Sequence, residues 1–264
     1  MSDLRVSVVL PVRNGERTIA RAVESILRQS ALGLELIVID DGSDDATAAV
    51  VAGFADPRVR LLRTKGNGLT AALRLGVAAA RTAIIARQDA DDVSFPERIE
   101  RQLELFDRRS EIVVVGVNWE ERDEAHRALR QRRPFVAGDL RRGLVVANPV
   151  FHGAVAFRKL AAQAVGGYDP SFRFAQDYDL WLRMSEVGVI WNHDEVLAAR
   201  YMDGRNIAAT REQAQHRAAL RARARACRRR RDPALWPLLA RGAVSVLVPP
   251  SLKRPVRRLR GQAA

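Results

Sequence analysis

Along the first third of the chain, short apolar runs alternate with stretches in which apolar positions return every three or four residues. Val6-Ser7-Val8-Val9-Leu10, closed by Pro11, reads as a strand. Arg17 to Gln29 then sets Ile19, Val23, Ile26 and Leu27 at helical spacing. The alternation continues with a strand at Leu34-Glu35-Leu36-Ile37-Val38-Ile39, a helix running to Phe54, and a strand at Val59-Arg60-Leu61-Leu62-Arg63. A helix from Thr70 to Ala80 and a strand at Ala83-Ile84-Ile85-Ala86 follow. Strictly alternating strands and helices predict a parallel, doubly wound α/β sheet. Further along, Pro96 to Arg108 reads as a helix with Ile99, Leu103 and Phe106 inward, and Ile112 to Val117 as a strand. Glu120 to Arg133 is polar and expected to be exposed.

Polar residues gather where the strands stop, which is where parallel α/β sheets bind ligands. Pro11-Val12-Arg13-Asn14-Gly15-Glu16 follows the first strand and is either a ligand loop or a plain connection. Asp40-Asp41-Gly42-Ser43-Asp44-Asp45 follows the second. Ser43 or Asp44 suits a helix cap there, which leaves Asp40 and Asp41 to accept hydrogen bonds from a base or ribose. Lys65-Gly66-Asn67-Gly68 opens the next helix with glycines that let backbone amides approach an anion. Arg87-Gln88-Asp89-Ala90-Asp91-Asp92 crowds three carboxylates at a strand end, where their repulsion favours a shared cation. Magnesium or manganese suits such oxygen ligands; an acidic turn capping the next helix is the other reading.

Composition narrows the class. With 264 residues, 47% hydrophobic and 28% charged, the chain can bury a proper core. Its net charge of +13 is unevenly placed: residues 211–264 hold 15 Lys and Arg against Glu212 and Asp232, whereas the first 210 residues are neutral. The single Cys227 excludes an intramolecular disulfide framework and fits a reducing compartment. The apolar run after Met1-Ser2-Asp3-Leu4-Arg5 ends at Pro11 and does not read as a secretory leader, and no stretch is apolar enough to span a bilayer.

The ordered stretches Ser7 to Asn14, Ile39-Asp40-Asp41-Gly42-Ser43, Gly68-Leu69 to Gly76 and Ala86 to Asp92 together resemble glycosyltransferase family 2. Gly166-Gly167-Tyr168-Asp169 and Gln176-Asp177-Tyr178-Asp179-Leu180-Trp181 extend the likeness to about residue 210. The resemblance implies a GT-A fold, Rossmann-like with a mixed central sheet. It also implies an inverting nucleotide-sugar transferase that uses Mg2+ or Mn2+. Asp177 takes the position of the catalytic base, with a helix N-cap as its bland alternative. Pro11, Val12, Arg13, Asn14, Glu16, Asp40, Asp41, Asn67, Arg87 and Asp89 are expected around the nucleotide, and Asp91 and Asp203 at the metal. Asp92, His152, Gln176 and Trp181 are expected on the donor-sugar and acceptor side, His152 being equally readable as structural. Three positions depart from the family pattern: Gln176 replaces an acid, Asp203 stands where relatives commonly carry a metal-binding His, and Leu73 replaces an Arg. The diphosphate contact is therefore expected from Arg87.

The expected partners are a UDP-, GDP- or TDP-sugar donor and a saccharide or lipid-linked saccharide acceptor, in cell-surface polysaccharide or glycolipid synthesis. The alternative is a catalytically silent, membrane-attached nucleotide-binding protein of the same fold. Residues 1–210 are expected to form the catalytic domain and 211–264 a basic, partly apolar helical extension. Arg211 to Arg231 reads as a helix with arginines all round it. Ala234-Leu235-Trp236-Pro237-Leu238-Leu239-Ala240 and Ala243 to Val248 interleave apolar residues with the later arginines. That pattern suits an anionic membrane surface, hence a cytoplasmic protein peripheral on the inner face of the membrane. Docking on the catalytic domain is the other use of the same residues. Nucleic acid is not expected, since stacking aromatics are nearly absent there.

Overall fold

The computed structural model describes residues 4–123, 125, 127–132, 137–141, 143–201 and 212–230. The first half runs β1 (Val6–Val12), α1 (Ile19–Leu27), β2 (Leu34–Asp40), α2 (Thr47–Ala52), β3 (Val59–Arg63), α3 (Leu69–Ala79) and β4 (Ile84–Arg87). The second half adds β5 (Val93–Ser94), α4 (Arg98–Arg108), β6 (Ile112–Arg122), β7 (Ala128–Arg132), β8 (Gly138–Asp139), β9 (Ala156–Arg158) and α5 (Lys159–Ala164). It closes with α6 (Gln176–Met184), β10 (Val189–Tyr201) and α7 (Glu212–Arg230).

All these strands join one sheet with the main order β3-β2-β1-β4-β9-β6-β10-β5. The β1, β2, β3 and β4 block is parallel, as the alternation predicts. β9 is antiparallel to both β4 and β6, which makes the sheet mixed. Every residue of β1 and β2 is buried because helices cover both faces. Val9, Ile37 and Ile39 face one core with α3, α6 and Phe157, while Val8, Leu10, Leu36 and Val38 face the other with α1 and α4.

Two expectations need correction. The stretch Glu120 to Arg133 is exposed only in part: residues 125 and 127–129 are exposed, but β6 runs on to Arg122 with Glu120 buried beside Arg122, and β7 pairs back along it. The basic helix α7 is not solvated all round, because Ala222, Ala226 and Cys227 are wholly buried in the core that also holds Trp181 and Tyr178. Small residues let its backbone lie close against α6, and they leave no large apolar stripe in the sequence.

Candidate functional site

Three loops at the carboxyl ends of β1, β2 and β3 lock together. Asn14, at φ 54°, donates its backbone N–H to Ser43 Oγ (2.9 Å), and its side-chain oxygen accepts from Asp44 N (3.1 Å). Glu16 Oε2 accepts from Ala46 N at 2.9 Å. Asp41 accepts from the backbone amides of Asn67 (2.9 Å) and Gly68 (2.8 Å) and from the Thr64 hydroxyl, while Asp40 accepts from Ser43 N and Arg63. Gly42 admits this crossing, since a β-carbon there would lie 2.7 Å from Gly66 N. Both carboxylates thus tie the loops together, and Asp40 has no exposed surface. Neither Ser43 nor Asp44 caps the helix: its N-cap residue is Ala46, which has no capping side chain, and Asp45 accepts from Thr47 N at 2.9 Å. Pro11 and Val12 are buried, whereas Arg13, Asn14, Glu16 and Asn67 are exposed; Asn14 and Glu16 are engaged in the loop contacts above, and Arg13 lies against Gly66.

Next to these loops, β4 delivers the acidic turn. Gln88, wholly buried, templates it by donating from Nε2 to Asp89 O (3.1 Å) and Asp92 O (2.9 Å), while its Oε1 accepts from Ser94 Oγ. Oxygens of Asp89, Asp91 and Asp92 lie within 4.8 Å of one another. Burial and the neighbouring Asp91 and Asp89 charges push the Asp92 carboxyl well above its ordinary range. Burial works the same way on Asp89, but the neighbouring groups, led by the Arg87 guanidinium with its charge and hydrogen bond and joined by Arg200, together outweigh it and hold that carboxyl low. A β-carbon at Gly153 would fall 2.6 Å from Asp92 Oδ2 and 2.8 Å from Asp89 Oδ2, so only glycine keeps that space between the carboxylates. A close set of hard oxygens around such a gap fits a divalent cation.

Arg87 does not reach the cleft. It has no exposed surface, and its guanidinium donates to Val9 O, Gln88 O, Asp89 and His152 Nε2 (3.3 Å). Behind the acidic turn it orients Asp89, with four of its five N–H donors engaged there and no exposed surface to present to a diphosphate. Burial, reinforced by Arg87, lowers the His152 pKa to about 3, so the ring is neutral and its Nε2 also meets Tyr168 Oη at 2.9 Å. Trp181 likewise lies in the core against Phe157 and backs the site without lining it.

Asp177 is half-buried in the first turn of α6, beside buried Gln176. The cap residue is Ala175, in a left-handed conformation (φ 52°), so the N-cap alternative for Asp177 fails. Asn148 Nδ2 donates to Asp177 Oδ2 at 2.8 Å. Burial raises the Asp177 carboxyl despite this bond, and the Asp89 charge adds to the rise. Asn148, Gly153 and Gln88 had no role readable from sequence; each acts through a contact to a residue distant in the chain or through backbone. Asp203 lies outside the described residues.

The family model "Glycosyl transferase family 2" matches residues 7–164. EpsE of Bacillus subtilis, which bears the name of a glycosyltransferase, is 36% identical over 195 residues, covering 71% of this chain and 69% of that one. The amylovoran biosynthesis glycosyltransferase AmsE of Erwinia amylovora is 30% identical over 187 residues, covering 69% and 70%. Staphylococcus aureus TarS 1–349 in complex with UDP-GlcNAc superposes with a TM-score of 0.68 at 15% identity, over 84% of this chain and 66% of that one. The chain thus spans about two thirds of the length of these relatives. The TarS likeness identifies the fold as GT-A. Together with the acidic turn and the Asp177 helix in their expected order, the family match over more than half of the sequence establishes that the chain belongs to glycosyl transferase family 2.

Proposed function

We propose that the protein moves a sugar from a nucleotide-diphosphate sugar to an acceptor hydroxyl, with inversion, in polysaccharide or glycolipid synthesis. The observation that carries this is the acidic turn, where oxygens of Asp89, Asp91 and Asp92 lie within 4.8 Å of one another against Gly153, in a chain that also holds Asp177 by Asn148 at the start of α6. The nucleotide lies over the loops bearing Arg13 and Asn67, and its diphosphate meets the acidic turn. Asp89 and Asp91 would hold Mg2+ or Mn2+, joined by Asp203 as the sequence suggests, and the cation would supply positive charge to the leaving diphosphate. Asp177 accepts the proton of the acceptor hydroxyl as that oxygen attacks the anomeric carbon, and Asn148 fixes the carboxylate for the attack. A UDP-sugar is the donor of first choice, because TarS is found with UDP-GlcNAc.

Asp177→Asn keeps the shape but cannot take the proton. Transfer should fall by roughly 10²-fold or more while donor binding persists. Turnover is read by nucleotide release and binding by calorimetry; turnover within a few-fold of wild type would reduce Asp177 to a structural role. Asp91→Asn should abolish manganese-dependent nucleotide affinity without loss of folding, and an unchanged affinity would remove Asp91 from the metal site.

Among the described residues no helix is long and apolar enough to cross a membrane. The apolar and basic residues 234–260 support attachment to the anionic inner face of the membrane, which would bring the cleft to a lipid-linked acceptor.

A further inference from the structure

The segment that carries Asn148 to the base is gripped by two helices. From α6 the Tyr178 hydroxyl donates to Leu144 O. From α7 Arg223 Nη1 donates to Val146 O at 3.0 Å. Arg223 is only 9% exposed, and its Nε has no hydrogen-bond partner among the described residues. A guanidinium is costly to bury, so a solubilising arginine would be turned outward, as Arg217 and Arg228 are. The rest of α7 fixes Arg223 in place. Ala222, Ala226 and Cys227 are sunk in the core, Arg225 pairs with Asp169 at 2.7 Å, and Arg221 and Arg225 lie 4.8 and 5.0 Å from the Phe172 ring.

We propose that Arg223 is a positioning residue for Asp177, acting through Val146 and Asn148, so that the helix of residues 212–230 is part of the catalytic unit. The proposal rests on the reading of Asp177 as the base. Arg223 holds the carbonyl two residues before Asn148; Asn148 in turn accepts from Val150 N at 3.2 Å and donates to Asp177. Releasing Val146 frees that segment at one end, and Asp177 loses its fixed partner.

The test uses the full chain. The side-chain amide resonances of Asn148, assigned by their loss in Asn148→Ala, should move toward those of a solvent-exposed amide in Arg223→Met. In the same variant, manganese-dependent hydrolysis of whichever of UDP-glucose, UDP-galactose or UDP-GlcNAc wild type cleaves fastest should lose about tenfold in kcat. KM should hold within twofold, because Arg223 acts on the Val146 carbonyl in the segment that carries Asn148. Arg223→Lys should restore both readouts to within threefold, and Arg223→Met added to Asn148→Ala should cost nothing further, as expected for residues acting in one chain. A folded Arg223→Met with wild-type resonances and turnover, or an additive double variant, overturns the proposal. Should Arg223→Met fail to fold, Arg223→Gln leaves no buried charge and is judged by the same two readouts. Full activity in Asp177→Asn would defeat the base reading, whereas the Asn148 resonances report positioning independently of turnover.

Discussion

Asp177 is pulled two ways. Burial and the Asp89 charge raise its carboxyl pKa, while the Asn148 amide favours the ionised form. A base must be deprotonated, so turnover should be full at neutral pH and fall as pH drops through a pKa above the ordinary 3.8. A pH profile of kcat for wild type and Asn148→Ala checks this: losing the amide should move the acid limb upward. For stability the sign follows from linkage. An acid whose folded pKa is raised costs stability above that pKa and costs nothing below its unfolded value. Asp177→Asn should therefore melt at or above the wild-type temperature at pH 7, with the advantage shrinking toward pH 4; a lower melting temperature at pH 7 would show that the ionised carboxylate stabilises the fold. Gly153 offers a second residue-scale test. In Gly153→Ala the methyl presses on the Asp89 and Asp92 oxygens. Manganese-dependent nucleotide affinity should then weaken by about tenfold or more, the scale seen when the support of metal ligands is disturbed. Arg87 shows why site residues were only half legible. A motif places it beside the acids in sequence, yet it points back under the sheet, and a string of letters does not say which side of a strand end a long side chain takes.

At the scale of elements, the alternation of β-branched runs with helical spacing was enough to read β1 through β4 and their helices, because β1, β2 and β4 are buried and largely apolar, while the half-buried edge strand β3 still shows Val59, Leu61 and Leu62. What stayed hidden came from distant pairing. β9 is three residues long and enters the sheet between β4 and β6, and β5 has two residues. Neither is long enough for a period to register. The helix α7 was legible, read as Arg211 to Arg231, but its docking was not: its contacts are made by Ala222, Ala226 and Cys227, residues too small to stand out among arginines. Close approach also governs α3. Gly76 lies so near the sheet that a β-carbon would fall 2.4 Å from Val9 and 2.8 Å from Ile39. Gly76→Ala should destabilise by about 1–3 kcal/mol through overpacking. Denaturant unfolding should show this as a lower midpoint at an unchanged slope; an unchanged midpoint would mean that the helix can slide away at little cost.

For the whole molecule, the charge map and the packing divide the chain at different places. By charge the break falls at residue 211, since the positive excess lies beyond it. By packing, α7 belongs with the GT-A body, joined through buried alanines and through the Arg225 and Arg229 ion pairs to Asp169 and Glu186. Two truncations separate the roles. A chain ending at Arg230 keeps every contact described here and should unfold like the full chain. One ending at Thr210 uncovers the core beneath Ala222, Ala226 and Cys227, and should lose roughly 3 kcal/mol at about 0.8 kcal/mol per buried methylene-sized group. Membrane attachment should follow the opposite division. A polybasic segment gains about 1 kcal/mol per cation near an anionic bilayer, and apolar insertion adds a part that salt does not screen. The full chain should therefore sediment with phosphatidylserine vesicles and retain some binding at high salt, whereas the chain ending at Arg230 should stay in the supernatant, though it keeps the arginines of α7. Equal sedimentation of the two would move the membrane contact from residues 231–264 to the arginines of the docked helix.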